Sequence, residues 1–268
     1  MTAAALRFEK YEGLGNDFIV VEAADERDVP PERAIRLCDR RFGVGADGVL
    51  LLLPPRDRSS QARMRVLNAD GSVPEMCGNG VRCVALHIAR ARGVREATVR
   101  VETDAGVKAC EVADAGGEGM VTVDMGLVRV YGEREVDAGG RRVVVTVADA
   151  GNPHAVLLGA FSRGDVEELG PRIETHPDFP NGTNVEFAFV AAEGIDLLVW
   201  ERGVGITLAC GTGACATVAV ACARGLATYG KAVRVRLPGG ALGILLEEDG
   251  SATMCGPARR VFSGTVDA

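Results

Sequence analysis

Asn68-Ala69-Asp70-Gly71-Ser72-Val73-Pro74-Glu75-Met76-Cys77-Gly78-Asn79-Gly80-Val81-Arg82 is the stretch that decides how this chain is read. It has an echo at Glu201-Arg202-Gly203-Val204-Gly205-Ile206-Thr207-Leu208-Ala209-Cys210-Gly211-Thr212-Gly213. Each copy places a cysteine and then Gly-(Asn/Thr)-Gly before a run of Ala, Val and Cys that reads as a helix. A sulfur at a helix N-terminus meets free backbone N–H groups and the positive end of the helix dipole, which favour a thiolate. Two such places in one chain suggest two thiols turned toward one small ligand.

Other landmarks recur at similar spacing. Asn16 returns at Asn152, 136 residues on, and Cys77 at Cys210, 133 on. Val99-Arg100-Val101 returns at Val233-Arg234-Val235, and Asp124-Met125-Gly126 at Met254-Cys255-Gly256. Four pairs in one order argue for duplication at a period far longer than a solenoid repeat. The reading is an α+β chain of two pseudo-twofold-related domains. Each is expected as a curved mixed β-sheet or barrel wrapped round a central α-helix, because an all-apolar helix must be enclosed. The domains are placed at 1–122 and 123–255, with the tail 256–268 packing back on the first. Helices are expected from Pro31 to about Gly43, with an apolar face including Ile35 and Phe42, then over 80–92, 165–174 and 213–229. After strand 120–125 the order is read as resuming at about residue 141.

Composition narrows the function. The 268 residues are 47% hydrophobic and 25% charged, with net charge −7 and no basic tract, so nucleic acid is not an expected partner. The first ten residues hold no apolar run of signal-peptide length, and eight scattered cysteines read as cytoplasmic thiols. Gly203 to Ala223 carries no charge and is long enough to cross a bilayer, but its Gly, Ala, Thr and Cys favour a buried helix over a membrane span. No CxxC occurs and the three histidines pair with no cysteine at ligand spacing, so no metal is expected. No cofactor is expected either. The three lysines (Lys10, Lys108, Lys231) lie in or beside strand-like stretches without a phosphate loop, and a pyridoxal enzyme needs a lysine. Only six asparagines survive in an Arg-rich, Lys-poor chain, and Asn16, Asn68, Asn79, Asn152 and Asn184 all fall inside motifs.

Two opposed thiols, one ionised and one protonated, can take a proton from one face of a carbon and return one to the other face. Helix-start amides could hold the adjoining carboxylate as its charge grows. With that chemistry in view, Asn-x-Asp-Gly-Ser-x-x-x-x-Cys-Gly-Asn-Gly-x-Arg at Asn68–Arg82 resembles the signature of diaminopimelate epimerase. Gly13-Leu14-Gly15-Asn16-Asp17-Phe18, Gly151-Asn152-Pro153-His154 and the second thiol loop agree with it over nearly the whole chain. The resemblance implies a pyridoxal-independent, cytoplasmic, usually homodimeric isomerase that interconverts LL- and meso-2,6-diaminopimelate on the route to lysine and peptidoglycan precursor.

Carried over, the resemblance makes Cys77 and Cys210 the proton donor and acceptor. Gly78, Asn79, Gly211 and Thr212 would hold the reacting carboxylate. Asn68, Asn152, Asn184 and Arg202 would hold the distal amino-acid end, and Asn16 and Glu201 the amino groups. His154 would support a polar network near Glu201. Where many members carry Gln after Gly-x-Gly-x-Asp, this chain has Gly48. Alternatives are a thiol racemase of proline, hydroxyproline or histidine, or a redox protein in which the two cysteines form a regulatory disulfide. Arg82 reads equally as surface charge or structural partner, and His87 as helix surface.

Overall fold

The chain begins with a tight hairpin. Strand β1 (Leu6–Gly13) turns through Leu14 and Gly15 into β2 (Asn16–Glu22). Leu14 has φ 56° and Gly15 φ 79°, the left-handed pair that a two-residue turn between twisted strands requires. The computed structural model describes residues 5–74 and 76–267. Met1–Ala4 of the stretch read for a leader, and Glu75 of the first motif, lie outside them.

After β2 come α1 (Pro31–Cys38), β3 (Gly48–Leu53), β4 (Ala62–Asn68), α2 (Gly78–Ala91), β5 (Glu96–Thr103), β6 (Gly106–Asp114) and β7 (Glu118–Leu127). The second half holds β8 (Arg129–Asp137), β9 (Arg142–Asp149), β10 (Pro153–Leu158), α3 (Arg163–Glu174), β11 (Asn184–Ala191), β12 (Gly194–Glu201), β13 (Gly205–Thr207), α4 (Gly211–Ala223), β14 (Val233–Leu237), β15 (Gly240–Leu246) and β16 (Ser251–Val266). One compact unit runs to Val123 and resumes at Gly256; the other comprises Asp124–Cys255.

Within the first unit β2 and β3 pair in parallel, as do β4 and β5, while β1–β2, β3–β4, β5–β6 and β6–β7 are antiparallel. Residues 259–266 of β16 pair with β1, which joins β1 to β7 through β16 in a ring of eight strands. Helix α2 touches β1 to β6, and Gly78 to Ala89 are all buried. Alternation along β3 explains why its whole length is buried. Val49, Leu51 and Leu53 join the cluster that holds Ala34 and Leu37 of α1. Leu50 points the other way, toward Gly80 of α2.

The second unit repeats this plan. β10 and β11 are parallel, β12 and β14 are parallel, and β9–β10, β11–β12, β14–β15 and β15–β16 are antiparallel. Helix α4 is buried from Gly213 to Cys222 and touches β8, β9, β10, β11 and β15. Even a bulge recurs: Tyr131 is skipped in the β8–β9 ladder and Val261 in the β16–β1 ladder. The architecture is therefore α+β, with curved mixed sheets around a central helix in each unit.

Some expectations are corrected. Helix α1 ends at Cys38, because Asp39 turns back to accept from the N–H groups of Arg41 and Phe42. Phe42 is consequently 92% exposed and Ile35 43%, so neither belongs to a buried face. Gly43 closes the turn where a Cβ would stand 2.1 Å from the Arg36 carbonyl oxygen. Helix α4 stops at Ala223, with Gly225 at φ 69° just past it, short of the expected Tyr229. Strand β8 was not expected at all. No helix of the described residues is long and apolar enough to cross a membrane, and the uncharged stretch 203–223 divides into a loop, β13 and α4.

Candidate active site

In the first unit Cys77 caps α2. Its extended backbone (φ −137°, ψ 108°) aims the side chain back over the first turn, and its Sγ accepts from the Gly80 N–H at 3.4 Å. Serine or aspartate usually fills this place, so the sulfur both satisfies an otherwise unpaired donor and sits in the helix field. Asn16, the first residue of β2, lies alongside. Its Nδ2 donates to Asp47 Oδ2 at 2.7 Å, which turns its Oδ1 toward the thiol loop. That oxygen accepts from Asn79 Nδ2 at 3.2 Å and lies 4.0 Å from Cys77 Sγ.

Asp47 is itself held by Arg40, which also binds Asp17. Burial works against ionising Asp17, but hydrogen bonds from Arg40 and Lys10 prevail and hold it down at about 2. Lys10 is thus buried and committed to Asp17 and the Gly45 carbonyl. Asn68 ends β4 opposite Gly48, with its Nδ2 donating to Ser72 Oγ at 2.9 Å. A Cβ at Gly48 would stand 2.8 Å from the Leu67 carbonyl oxygen, so a larger residue there requires the β3–β4 ladder to shift.

Cys210 caps α4 in the same way, with φ −128°, ψ 114° and the Gly213 N–H at 3.4 Å. The Thr212 hydroxyl lies 3.5 Å from the sulfur. Here burial pushes the Cys210 thiol well up, the Glu201 and Glu186 charges push it further, and the Thr212 and Gly213 contacts oppose without prevailing. Cap geometry alone does not set the protonation of a sulfur that has left water. Burial also lifts Cys38, to about 11, and Cys83, in keeping with their reading as core.

Around Cys210 the polar residues form short chains. Asn152 Oδ1 lies 2.8 Å from His154 Nε2, and His154 Nδ1 lies 2.7 Å from Glu186 Oε1. Asn184 accepts the Arg202 backbone N–H at 3.0 Å and donates to the Pro153 carbonyl at 3.0 Å, which ties the Arg202 turn to the start of β10. Glu201 accepts from Thr207 Oγ1 at 2.6 Å. The exposed Arg202 side chain donates to the Asn181 carbonyl. Glu186 was not singled out from the sequence. Its one signal there is a carboxylate in the apolar strand run Val185 to Val190.

Two other readings are settled. Arg82 is wholly buried and its Nε donates to the Pro257 carbonyl at 3.1 Å, so it is a structural partner of β16. His87 is 8% exposed and sits between Glu9 (3.3 Å) and Glu22 (2.9 Å), not on an open helix surface. No group of three or more His, Cys, Asp or Glu among the described residues could hold a metal ion.

The family model described as "Diaminopimelate epimerase" matches residues 8–131 and 146–261. A diaminopimelate epimerase of Synechococcus elongatus is 43% identical across 98% of this chain and 99% of its own length. One of Desulforudis audaxviator is 45% identical across 97% and 98%. Among solved structures, a probable proline racemase from Agrobacterium radiobacter has a TM-score of 0.77 at 19% identity, covering 97% of this chain and 92% of its own. A hydroxyproline epimerase from Agrobacterium vitis has a TM-score of 0.73 at 20% identity, covering 99% and 92%. At those identities the structural likeness is one of fold. Matched over nearly its whole length, the chain belongs to the diaminopimelate epimerase family.

Proposed function

We propose that the chain interconverts LL- and meso-2,6-diaminopimelate, with Cys77 and Cys210 acting on opposite faces of one α-carbon. One sulfur, as thiolate, takes the α-proton, and the electron pair moves into the carboxylate as an enediolate. The other sulfur, as thiol, gives its proton to the opposite face, so atoms and charge balance and no redox partner is required. The observation that carries the reading is the repeated helix cap: in each unit a cysteine Sγ accepts the N–H three residues on at 3.4 Å. The N–H groups of the first helical turns suit an α-carboxylate, and aligned amides are worth most where its negative charge grows.

The distal end of the substrate is assigned to Asn68, Asn152, Asn184 and Arg202, with Asn16 and Glu201 toward the amino groups. Arg202 suits a carboxylate because guanidinium can make two parallel bonds. A substrate with two amino-acid ends fits this set better than proline, hydroxyproline or histidine does. Buried Lys10 is already paired with Asp17, which leaves it poorly suited to an imine. The working state is taken to be a homodimer in the cytoplasm, and sedimentation of the purified protein tests the dimer directly.

The deciding experiment is incubation of reduced protein with LL-diaminopimelate in D₂O without pyridoxal phosphate. Stereoinversion with one deuterium entering at the inverted α-carbon is expected. Exchange with proline and none with diaminopimelate would overturn the substrate assignment.

A further inference from the structure

The turns that open the two thiol motifs close alike but are braced differently. At the 133-residue offset of the two cysteines, Asn68 falls on Glu201, Asp70 on Gly203 and Ser72 on Gly205. Both turns make the same backbone bond: the Gly71 N–H reaches the Asn68 carbonyl, and the Val204 N–H the Glu201 carbonyl. In the first turn side chains of the turn itself hold it. Asp70 Oδ1 accepts from the Ser72 N–H at 2.8 Å and from its hydroxyl at 2.6 Å, and Ser72 Oγ accepts from Asn68 Nδ2 at 2.9 Å. In the second turn both bracing positions are glycine, and Gly203 has φ 75°.

The brace there comes from α3. Its last residue, Glu174, accepts the Gly203 N–H at 2.7 Å through Oε1 and the Trp200 indole N–H at 2.6 Å through Oε2. One carboxylate thus grips the chain on both sides of Glu201 and Arg202. The N–H between, that of Arg202, goes to Asn184. The Arg202 stem is guided as well: a Cβ at Gly182 would stand 3.0 Å from its Cδ, and its Nη1 donates to the Asn181 carbonyl at 3.2 Å. A carboxylate in the last turn of a helix opposes the helix dipole, so α3 itself gains nothing from Glu174. Its two bonds to the Arg202 turn supply the reason for it.

We propose that Glu174 is a positioning residue: by holding Trp200 and Gly203 it fixes the turn from which the Arg202 guanidinium meets the distal carboxylate of the substrate. Glu174 acts through Arg202 and does not touch the substrate. The assignment rests on the diaminopimelate reading proposed above.

The test is the rate of α-deuterium uptake against diaminopimelate concentration in D₂O. The parent protein is compared with Glu174→Gln, Glu174→Ala, Arg202→Ala, and Glu174→Ala combined with Arg202→Ala. The amide keeps the shape but turns an NH₂ group toward one of the two donors, so it remains informative if alanine fails to fold. In the Glu174 variants KM is expected to rise about tenfold, the scale of one lost hydrogen bond to a charged group, with kcat kept within about twofold because the distal end is held alike before and in the transition state. Once Arg202 is alanine, replacing Glu174 is expected to change KM by less than about twofold, since two residues that act through one another do not add. A structural role alone would lower kcat with the active fraction and leave KM unmoved, or would act equally in both backgrounds; either result in a folded variant overturns the assignment. Uptake by the parent with KM unmoved in Glu174→Gln sinks the role of Glu174 alone. No uptake by the parent sinks the diaminopimelate reading and this assignment together.

Discussion

At positions 77 and 210 a cysteine fills the helix-cap place that serine, threonine or aspartate usually takes, and each sulfur receives the N–H three residues on. This much was legible in the sequence, because Cys-Gly-x-Gly before an apolar helix leaves few other places for the sulfur. The environment of each sulfur was not legible. Nothing in Val185-Glu186-Phe187 says which face of β11 the carboxylate takes until the parallel ladder with β10 sets the register. The two environments have a test in the glycines. Gly213→Ala places a methyl 2.7 Å from a buried carboxylate oxygen, whereas Gly80→Ala meets the end of a leucine at 3.0 Å. Gly213→Ala is expected to destabilise by about 1–3 kcal/mol, within the usual range for an overpacked core, and Gly80→Ala by clearly less. Thermal melts of the two variants check this, and equal losses would contradict it.

Among the elements, the apolar helices were readable from periodicity, but their ends were set by local hydrogen bonds. Asp39 stops α1 after Cys38, and the residues beyond α4 leave the helix at Ala223 with Gly225 in the left-handed region. At the far end of α2, Arg90 grips Asp114 at the end of β6 with two bonds of 2.7 and 2.8 Å. This guanidinium, aided by the Gly116 N–H and against the pull of burial, holds the Asp114 carboxyl at about 2. A carboxyl lowered in the folded state stabilises fully above its unfolded value, near 4, and loses that contribution as pH falls through about 2. Asp114→Asn is therefore expected to cost about 2 kcal/mol at pH 7 and close to nothing at pH 2, as read from urea unfolding at each pH. A difference independent of pH would show that the carboxylate charge is not the cause. Packing of α3 gives a second check. A Cβ at Gly170 would stand 2.6 Å from the Trp200 ring, and Gly170→Ala is expected to lower stability by about 1–3 kcal/mol in the same measurement; an unchanged midpoint would contradict the packing.

On the scale of the whole chain, four recurring landmarks made the duplication visible, and the matched ladders extend it to nearly every strand. Strand β8 escaped notice because only Val136 along it is buried, so no alternation marks it. Its counterpart is the second half of β16, which shares its bulge and pairs with β1 as β8 pairs with β9. The two-thiol reading carries a redox consequence at this scale. Mild oxidation is expected to join Cys77 to Cys210, with loss of both thiols and of activity, and dithiothreitol to restore them. Full rate in protein shown by peptide mapping to carry that bridge would be incompatible with the scheme.

The most direct test of the central claim is turnover and α-deuterium uptake by Cys77→Ala and Cys210→Ala, each offered LL- and meso-diaminopimelate separately in D₂O. The account expects neither variant to interconvert the two isomers, because each lacks either the base or the acid for one face of the carbon. Normal interconversion by either variant would contradict it.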